Sequence, residues 1–486
     1  MTVPQPTGNA ARARQPERVV VHVDSPTARW TGALAVLAGF GWLAGLLIHD
    51  HYRLDWQPGS RLVWSVAILV AVVFIARGIY LGRPVTAAHA GAAIIVAAIG
   101  VVARVLSFDL LSDMLIAGAG LVLMLPTAAR PQPEALPRVW ALVDQTHADP
   151  LAPFAMQSQK SYYFSPDGLA AIAYATRVGF AVVSADPIGD QTRFAELVAG
   201  FTAMCRSKGW RILVLACSES TVALWRQMLG RSFRAIPIGR DVVVDVARFR
   251  MVGRKFRNLR QAVQRTHNVG LTTEVIDEQD AEDAVRAELA QVVRASPSGA
   301  RTDRGFSMTL NGLLQARYPG VLLIIGRDRR GRVQGFQRYA LAGGGNDVSL
   351  DTGWRQPEAP NGIDERLTVD MIQYARAHSG RRVSLAFAAF PEIFADGSGT
   401  RQKVFYTLIH LLDPLIKLES LYRYLRKFQA LGNRRYVVLP LRQLLPALWV
   451  LLTLEFLPRR RHLPPSKAGD DTITPRQPGR GSRSQM

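Results

Sequence analysis

The sequence predicts two parts, an α-helical membrane domain with four spans and, after it, a mixed α/β domain. Four apolar segments, at residues 31–49, 62–81, 85–106 and 108–128, are each about as long as the ~20 residues that cross a bilayer. A proline-rich joint at residues 130–134 follows them. Beyond the joint, short β-branched runs alternate with amphipathic helical patterns. This alternation is typical of an α/β or α+β fold with room for two units side by side.

The N-terminal segment 1–29 precedes the first apolar stretch, and we expect it to be disordered. The first apolar stretch could instead belong to a signal peptide. It begins too late in the chain and is too long for one, and three similar segments follow it. The sequence therefore places a membrane domain at residues 30–130.

Arginines flank the apolar segments unevenly, and this bias predicts the orientation of the membrane domain. They precede the first segment, separate the second from the third and follow the fourth, at Arg12, Arg14, Arg18, Arg29, Arg77, Arg83, Arg130 and Arg138. The other two connections mix arginine with His49, Asp50, Asp55 and Asp109. The positive-inside rule therefore favours a multi-pass protein of the cell membrane, with its large domain and both termini in the cytoplasm.

The water-soluble part is expected at residues 139–440. Short β-branched runs predict strands at 181–184, 212–216 and 321–325, and apolar periodicity predicts helices at 195–207 and 363–377. Two hairpin turns are predicted where glycine clusters with aspartate or asparagine, at 327–331 and 343–346.

The end of the chain contains one more apolar segment, at residues 441–457. It includes Arg442, Pro446 and Glu455, so we expect an interfacial helix rather than a fifth span. The tail at 458–486 is basic and rich in Pro, Gly and Ser. We expect it to be disordered and to touch anionic lipid.

The charge balance favours a polyanionic partner, because 59 Lys and Arg residues oppose 38 Asp and Glu residues, a formal net charge of +21. One basic run contains no acidic residue and comprises Arg248, Arg250, Arg254, Lys255, Arg257, Arg260 and Arg265. A second interleaves Arg423, Arg426, Lys427, Arg434 and Arg435 with Tyr422, Tyr424, Phe428 and Tyr436. Each run is either a solvated helix face or a phosphate-binding surface, and lipid headgroups and RNA both carry phosphate.

Motifs for metal, nucleotide or covalent chemistry are scarce in this sequence. It has no Walker A loop, HExxH, GxSxG or strand-linked GxGxxG. The two cysteines, Cys205 and Cys217, do not fit a disulfide scaffold or a zinc site, and the nine histidines are scattered. No cofactor and no metal are expected.

Eight strings carry a family resemblance. They are residues 159–168 leading to Ala173-Tyr174, 184–190, 253–260, 305–308, Ser349-Leu350-Asp351 with Arg355, 359–362 with Glu365, 384–388, and 418–422 running to Lys427 and Arg434-Arg435-Tyr436. In this order and spacing they resemble the catalytic domain of the aminoacyl-phosphatidylglycerol synthases, the lysylphosphatidylglycerol synthetase or multiple peptide resistance factor family. The resemblance covers roughly residues 139–440.

The resemblance implies a tandem of two GNAT-like α/β halves, at roughly 139–280 and 281–440. It implies that an aminoacyl group moves from charged tRNA to the glycerol hydroxyl of a phospholipid such as phosphatidylglycerol. One ester replaces another in this exchange, so no metal or covalent intermediate is required. Positioning of the substrates and stabilisation of the oxyanion would supply most of the acceleration. The implied partners are charged tRNA, anionic phospholipid and the membrane.

The same resemblance implies roles for particular residues. Asp351 and Glu365 would lie near the substrate amine or accept the proton of the lipid hydroxyl, and Arg355 would orient the ester. Phosphate on tRNA or lipid would be bound by Lys427, Arg434 and Arg435, with Arg257 and Arg260 as further substrate-binding residues. Asp186, in an Asp-Pro-Ile-Gly turn, would bind substrate or cap a helix.

Two other functions stay open at the level of sequence. One is a GNAT-like acyltransferase with a different donor, although the sequence contains no convincing acyl-CoA pyrophosphate loop. The other is a diverged, non-catalytic membrane protein that binds anionic lipid or RNA. It is favoured by Trp354, which stands where the family often has arginine, and by the unusual segment 428–433.

Overall fold

The computed structural model describes residues 19–21, 26–52, 60–80, 82–296, 302–303, 305–389, 424–456, 459–460 and 463. The predicted disordered segments 1–29 and 458–486 lie mostly outside the described residues. Tyr422 and Arg423 of the second basic run also lie outside them.

Each of the four apolar segments of the N-terminal region is helical. The helices are α1 (Pro26–Tyr52), α2 (Ser60–Tyr80), α3 (Ala87–Val105) and α4 (Asp109–Leu123). Within the described residues, two stretches are long and apolar enough to cross a membrane, Val63–Tyr80 and Ala87–Val105. The apolar part of α1, Trp30–Gly45, is shorter. Helix α4 ends five residues before the predicted end of its segment at residue 128, because Pro126 disfavours helical geometry in the residue before it.

The four helices pack through small residues and leave large apolar side chains on their outer faces. Helix α2 contacts α1 and α4, and α3 contacts α4. A Cβ atom on Gly120 of α4 would lie 2.7 Å from the Ala71 Cα of α2, so the two backbones touch. The exposed apolar side chains include Ile94, Ile95, Val101, Val102, Leu110 and Met114. Such a continuous apolar surface fits contact with lipid.

The remainder of the described chain is an α/β domain built on one 12-stranded sheet. Its strands are β3 (Ser161–Phe164), β4 (Ala170–Arg177), β5 (Phe180–Ser184), β6 (Ile188–Gly189), β7 (Arg211–Ser218), β8 (Phe233–Asp245), β9 (Thr272–Asp277), β11 (Val321–Arg327), β12 (Val333–Ala342), β13 (Asp347–Arg355), β14 (Arg382–Ala389) and β15 (Leu431–Pro440). Two small antiparallel pairs lie outside this sheet, β1 (Val19–Val21) with β2 (Val85–Thr86) and β10 (Thr302–Asp303) with β16 (Arg459–Arg460).

Within the described residues, seven α-helices belong to this domain. They are α5 (Leu136–Gln145), α6 (Phe194–Ser207), α7 (Glu219–Leu229), α8 (Arg257–Asn268), α9 (Asp283–Ala295), α10 (Ile363–Ala377) and α11 (Leu444–Phe456). Helices α6 and α7 pack on one face of the first half of the sheet, and α5 and α11 on the other. In the second half, α8 and α10 cover one face and α9 the opposite one.

The two ends of the sheet repeat one pattern. At one end β3, β4 and β5 form an antiparallel meander, and β5 then pairs in parallel with β7. At the other end β9, β11, β12 and β13 form the meander, and β13 pairs in parallel with β14. A parallel pair needs a crossover, and α6 and α10 supply it. This repeat agrees with the tandem α/β arrangement that the sequence implies.

The last strand of the sheet joins the two ends. Strand β15 lies between β7 and β8, antiparallel to both, and β8 continues the sheet into β14. A segment from the end of the predicted second half therefore pairs with two strands of the first. The carboxyl ends of β5 and β7 and the start of β15 meet at this junction.

Local elements follow the sequence patterns closely. The three predicted strands are parts of β5, β7 and β11, and the two predicted helices correspond to α6 and α10. The hairpin turns at 327–331 and 343–346 connect β11 to β12 and β12 to β13. The apolar segment 441–457 begins with a 3₁₀ turn, Leu441–Gln443, before α11 starts at Leu444.

Candidate active site in an acidic cavity at the sheet junction

A cavity of about 590 Å³ lies where the two halves of the sheet meet. This volume is within the range of small-molecule sites. Both halves contribute to its wall: the turn after α5, the turn after β5, the start of α7, and strands β8, β13, β14 and β15. Its polar lining includes His147, Asp149, Asp186, Ser218, Thr221, Asp241, Asp347, Ser349, Arg382 and Arg435.

The guanidinium of Arg435 on β15 is the centre of this wall. Its Nε lies 2.8 Å from Asp241 Oδ2, its Nη1 3.2 Å from Asp186 Oδ2, and its Nη2 2.7 Å from Asp149 Oδ1. The side chain of Arg435 is only 2% exposed. One buried cation therefore joins β15 to β8, to the turn after β5 and to the turn after α5.

Three carboxylates share this one guanidinium, and the pKa values of Asp149 and Asp241 reflect the imbalance of charge. Burial raises the pKa of Asp241 to about 6, although Arg435 acts to lower it. Burial likewise raises the pKa of Asp149 against the opposing effect of Arg435. For Arg435 burial acts to lower the pKa, but the carboxylates of Asp149, Asp241 and Asp186 outweigh it and raise the pKa above its usual value. The fully ionised cluster carries an excess of negative charge that a second cation would offset.

Two buried acceptors in the cavity wall have no hydrogen-bond partner in the described part of the chain. They are Asp149 Oδ2 and Ser349 Oγ. Buried polar atoms are rarely left unpaired in folded proteins. A ligand with N–H donors and a positive charge would pair both atoms and offset the excess charge.

Asp186 has one of the two roles that the sequence left open for it, the structural role at the start of a helix, and its substrate-binding role stays a prediction. Its carboxylate accepts a hydrogen bond from Ser218 N at 3.0 Å and another from the Thr221 hydroxyl, so it holds the start of α7. The same carboxylate binds Arg435. The first turn of α7 is thereby fixed at the edge of the cavity.

A second ion pair closes the other side of the cavity. Arg382 Nη2 lies 3.0 Å from Asp347 Oδ2, which also accepts a hydrogen bond from Ala148 N at 2.9 Å. This contact ties the beginnings of β13 and β14 to the turn that carries Asp149. Both halves of the sheet are therefore held around one space.

The predicted catalytic residue Asp351 lies outside this cavity. Its buried carboxylate accepts hydrogen bonds from Leu310 N at 2.7 Å and from Arg338 Nη1 at 3.0 Å. Arg338 also binds Glu278 Oε2 through Nη2 at 2.7 Å. Burial raises the pKa of Asp351 to about 6, with Arg338 opposing the shift.

The other predicted catalytic residues lie on the opposite face of the sheet from Asp351. Gln337 and Arg338 are consecutive on β12, so their side chains point to opposite faces. Gln337 Nε2 donates to Asp364 O at the start of α10, whereas Arg338 contacts Asp351. On the α10 face Glu365 pairs with Lys427, and Arg355 Nη1 lies 3.4 Å from Asp364 Oδ2. The structure therefore does not bring Asp351, Arg355 and Glu365 into one site.

The predicted phosphate-binding residues fall into three different settings. Arg435 contacts carboxylates rather than presenting a free guanidinium, and Lys427 is engaged by Glu365. Arg434, next to Arg435 on β15, is exposed. Arg257 and Arg260 lie on the exposed face of α8, where Arg260 Nη1 donates to Met251 O at 2.8 Å and Gly253 O at 2.9 Å. Of the predicted residues, only Asp186 and Arg435 line the cavity.

Sequence reasoning missed several residues of the cavity wall. Asp149 stands before Pro150, a typical turn signal, but no local pattern relates it to Arg435, 286 positions further along the chain. Ser349 belongs to a string that carries the family resemblance, yet it was not singled out. In the described part of the chain, no group of three or more His, Cys, Asp and Glu side chains is arranged to hold a metal ion.

Comparison with known proteins identifies a family. Residues 140–439 match the family model described as "Phosphatidylglycerol lysyltransferase, C-terminal". The chain is 59% identical over 467 residues to the MprF-like domain protein Rv1619 of Mycobacterium tuberculosis, covering 95% of this chain and 96% of that relative. It is 30% identical over 295 residues to the lysylphosphatidylglycerol biosynthesis bifunctional protein LysX of Mycobacterium bovis. That match covers 59% of this chain and 24% of LysX, so the chain corresponds to about a quarter of LysX.

Solved structures show the same fold. A C-terminal domain assigned to a lysylphosphatidylglycerol synthetase of Agrobacterium fabrum superposes with a TM-score of 0.58 at 21% identity. The match covers 68% of this chain and 99% of that one. The L-PGS structure from Bacillus licheniformis gives a TM-score of 0.58 at 18% identity, covering 67% of this chain and 98% of that one.

We expect the substitution Asp351→Ala to destabilise the fold. It removes the buried acceptor of hydrogen bonds from Leu310 N and Arg338 Nη1, while Arg338 stays paired with Glu278, so the free energy of unfolding should fall by about 1–3 kcal/mol. Thermal and denaturant unfolding of the full chain in a non-ionic detergent would measure this loss. The matched control is Glu358→Ala, an exposed acid in the loop after β13, which should change stability by less than about 0.5 kcal/mol. Equal stability of the two variants would contradict a structural role for Asp351.

Proposed function

Because the chain belongs to the phosphatidylglycerol lysyltransferase C-terminal family, which comprises membrane-associated transferases, we propose that it is a membrane-anchored aminoacyltransferase. The donor is charged tRNA, and the acceptor is the glycerol hydroxyl of phosphatidylglycerol. The aminoacyl ester on the ribose becomes an aminoacyl ester on the lipid, and the proton of the lipid hydroxyl ends on the ribose oxygen that leaves. The observation that supports this most is the acid-rich cavity with two unpaired buried acceptors at the sheet junction.

In this proposal the cavity binds the ammonium group of the aminoacyl donor. Asp149 and Asp241 supply negative charge that Arg435 does not offset, and Asp149 Oδ2 and Ser349 Oγ accept hydrogen bonds from the ammonium. A buried charge pair is favourable only when the geometry is good and the remaining polar atoms are paired. The two unpaired acceptors meet that requirement once an ammonium is present.

Arg435 then acts as a positioning residue. Without it, three carboxylates within reach of one another would repel and bind protons instead of an ammonium group. Its three ion pairs hold them apart in fixed positions before the substrate arrives. Such preorganisation avoids rearrangement during binding and aligns the ester carbonyl for attack.

The first turn of α7 lies beside the same cavity and carries Ser218, Ser220 and Thr221. The amino end of a helix presents backbone N–H groups and a partial positive charge. We assign it the stabilisation of the oxyanion that forms when the lipid hydroxyl attacks the ester carbonyl. Asp186 maintains this arrangement by binding Ser218 N and the Thr221 hydroxyl.

The remaining predicted residues receive supporting roles. Asp351 fixes β13 through Arg338, two residues from Ser349 in the cavity wall. The pair Glu365–Lys427 ties α10 to the segment that leads into β15 and thus to Arg434 and Arg435. The exposed basic face of α8, with Arg257 and Arg260, contacts the phosphates of tRNA.

The membrane part completes the proposal. Helices α1 to α4 all span the membrane, with the N-terminus and the large domain in the cytoplasm, where charged tRNA is present. Arg77 at the end of α2 and Arg83 in the following turn agree with this orientation under the positive-inside rule. Attachment to the membrane keeps the domain close to its lipid acceptor.

We predict that Asp149→Asn and Asp241→Asn reduce transfer strongly. Each removes a buried counter-charge of the ammonium, a loss of about 2–5 kcal/mol in transition-state binding and thus at least ~30-fold in kcat/KM for charged tRNA. Mass spectrometry of lipids extracted from cells expressing each variant, followed by kinetics on purified protein, would measure it. Asp280→Asn, an exposed aspartate far along the chain from the cavity residues, should leave the lipid product unchanged.

A milder variant separates loss of binding from loss of folding. Ser349→Ala removes one unpaired hydroxyl and breaks no ion pair, so the protein should keep its stability while KM for charged tRNA rises by about five- to tenfold. An unchanged KM in Ser349→Ala, together with full activity of folded Asp149→Asn, would contradict the assignment of the ammonium to this cavity. Absence of any new lipid from the unaltered chain, with charged tRNA available, would contradict the transfer itself.

The raised pKa of Asp241 predicts that kcat/KM for the donor depends on pH. Its pKa is raised to about 6 by burial, so the carboxylate binds an ammonium above that pH and loses the charge below it. We expect kcat/KM for the donor to fall by up to about tenfold for each pH unit below 6. A carboxyl group whose folded pKa is raised destabilises the fold as pH rises through its range. Protonation of Asp241 therefore stabilises the folded protein, so the loss of activity below pH 6 would not result from unfolding caused by this group. A pH–rate profile in which Asp241→Asn keeps the same acid limb would exclude this residue as its source.

A further inference from the structure

A second cavity, of about 680 Å³, lies at the opposite ends of the strands that form the acidic one. Strand β7 contributes Ser218 to the acidic cavity and Arg211 to the second, while β15 contributes Arg435 and Pro440 respectively. Helix α6 likewise extends from Phe194 to Arg206 between the two. At ~3.3 Å per residue, the ends of β7 are roughly 23 Å apart. The two cavities are therefore separate sites.

The second cavity is strongly basic, and we call it the arginine pocket. The described residues that line it include five arginines and no acidic residue; the arginines are Arg206, Arg211, Arg231, Arg234 and Arg442. Among the described residues, none of the five forms an ion pair, whereas Arg435 at the other end of β15 forms three. Unopposed guanidinium groups repel one another, so the pocket would be stabilised by a bound anion.

Arg211 also faces positive charge from outside the pocket. Burial, together with the nearby positive charges of Arg83 and Arg77, lowers its pKa to about 10. Its guanidinium lies 3.8 Å from the ring centroid of Phe180 and donates weakly to Val178 O at 3.3 Å. It remains protonated at neutral pH, half-buried and facing other cations.

The arginine pocket opens beside the ends of the membrane helices. Trp210, in its wall, donates from Nε1 to Thr127 O at 2.8 Å and to Thr127 Oγ1 at 3.0 Å, just after α4. A Cβ atom on Gly209 would lie 2.6 Å from Gly82 O, in the connection from α2 to α3. Arg83, in that connection, donates from Nη1 to Met124 O at 2.8 Å. These contacts fix the pocket at the ends of α2 and α4.

An exposed apolar helix lies on the other side. The residues Leu441–Gln443 line the pocket and continue directly into α11. One face of α11 packs into the core through Ala447, Val450 and Leu454. Its other face exposes Leu445 (78%), Trp449 (54%) and Leu448 (46%). A tryptophan among exposed leucines is typical of a helix at the boundary between lipid and water.

We propose that the arginine pocket binds the phosphate group of an anionic membrane lipid, whose acyl chains remain in the bilayer beside α11 and the membrane helices. One guanidinium group can bind two phosphate oxygens at once through two N–H groups. The apolar part of the wall, which includes Trp210, Ile212 and Phe233, contacts the glycerol backbone. Binding involves no covalent step. The bound lipid fixes the orientation of the domain relative to the bilayer, with the acidic cavity roughly 23 Å away along β7.

Two features favour lipid over RNA as the source of this phosphate. The pocket touches the ends of the membrane helices, and the exposed leucines of α11 adjoin it. An RNA backbone offers no partner for that apolar surface. Lipid binding at the arginine pocket depends on the membrane placement of the protein but not on the transfer reaction, so the proposed binding and the proposed transfer can fail separately.

The test measures lipid binding to the purified full chain in a non-ionic detergent by native mass spectrometry. The probe is dihexanoyl phosphatidic acid, which has the phosphate and the acyl chains but no glycerol headgroup to accept an aminoacyl group. The disrupting variant is Arg231→Gln/Arg234→Gln, and both residues are exposed, so the fold should persist. The matched control is Arg329→Gln/Arg330→Gln, which makes the same charge change in the exposed turn between β11 and β12.

We expect saturable binding of phosphatidic acid that weakens at least about tenfold in Arg231→Gln/Arg234→Gln and is unchanged in the control and in Asp149→Asn. Dihexanoyl phosphatidylcholine and inorganic phosphate should bind at least about tenfold more weakly than phosphatidic acid. Equal lipid affinity in both double variants would overturn the proposal. If inorganic phosphate binds as tightly as phosphatidic acid, the ligand of the pocket would be free phosphate and not lipid. If Arg231→Gln/Arg234→Gln weakens the binding of an RNA acceptor-stem hairpin but not the binding of phosphatidic acid, the ligand of the pocket would be RNA and not lipid.

Discussion

The ion pairs of Arg435 are the interaction on which the architecture of the site depends. A guanidinium that is almost fully buried is tolerated only when carboxylates surround it, and here they come from three separate segments. Those segments are the turn after α5, the turn after β5 and strand β8. Once β15 occupies its place between β7 and β8, the cavity wall and the start of α7 are positioned as well. The same contacts leave an excess of negative charge, so the stabilising cluster and the proposed binding of an ammonium group have one origin.

Local sequence patterns predicted helices and hairpins, but they did not predict contacts between residues that are far apart in the chain. The helices α6 and α10 and the hairpins around β11 to β13 follow from periodicity and turn residues within a few positions. The cavity depends on contacts across 286, 249 and 194 positions between Arg435 and its three partners. No pattern within a segment encodes those pairings. Asp351 and Glu365 illustrate the same limit, because they lie on opposite faces of the sheet, as the alternation of β12 shows, although they are only fourteen positions apart in the chain. The basic run and the resemblance to a known family both pointed to Arg434 and Arg435, but as phosphate-binding residues rather than as partners of carboxylates.

In the first half of the sheet, acidic side chains gather at one end of the strands and arginines at the other. The carboxyl ends of β5 and β7 meet an acidic cavity, while the amino end of β7 meets a basic pocket beside the membrane helices. The parallel pair β5 and β7 places the starts of α6 and α7 at one end and their last turns at the other. Helix amino ends therefore lie near the acidic cavity, and Arg206 and Arg226 lie in the last turns of α6 and α7. One supersecondary unit thus carries an acidic cavity at one end and a basic pocket at the other.

The position of β15 also determines when the cavity can form during synthesis. Strands β7 and β8 leave the ribosome about two hundred residues before β15 does, and chains fold progressively from the amino end. Until β15 emerges, the edges of β7 and β8 lack their common neighbour, and Asp149, Asp186 and Asp241 lack their counter-charge. A nascent or prematurely terminated chain that stops before residue 431 therefore contains most of the sheet but none of the assembled site. In such a shortened chain the edges of β7 and β8 that β15 covers stay unpaired, and an open strand edge favours pairing with other chains.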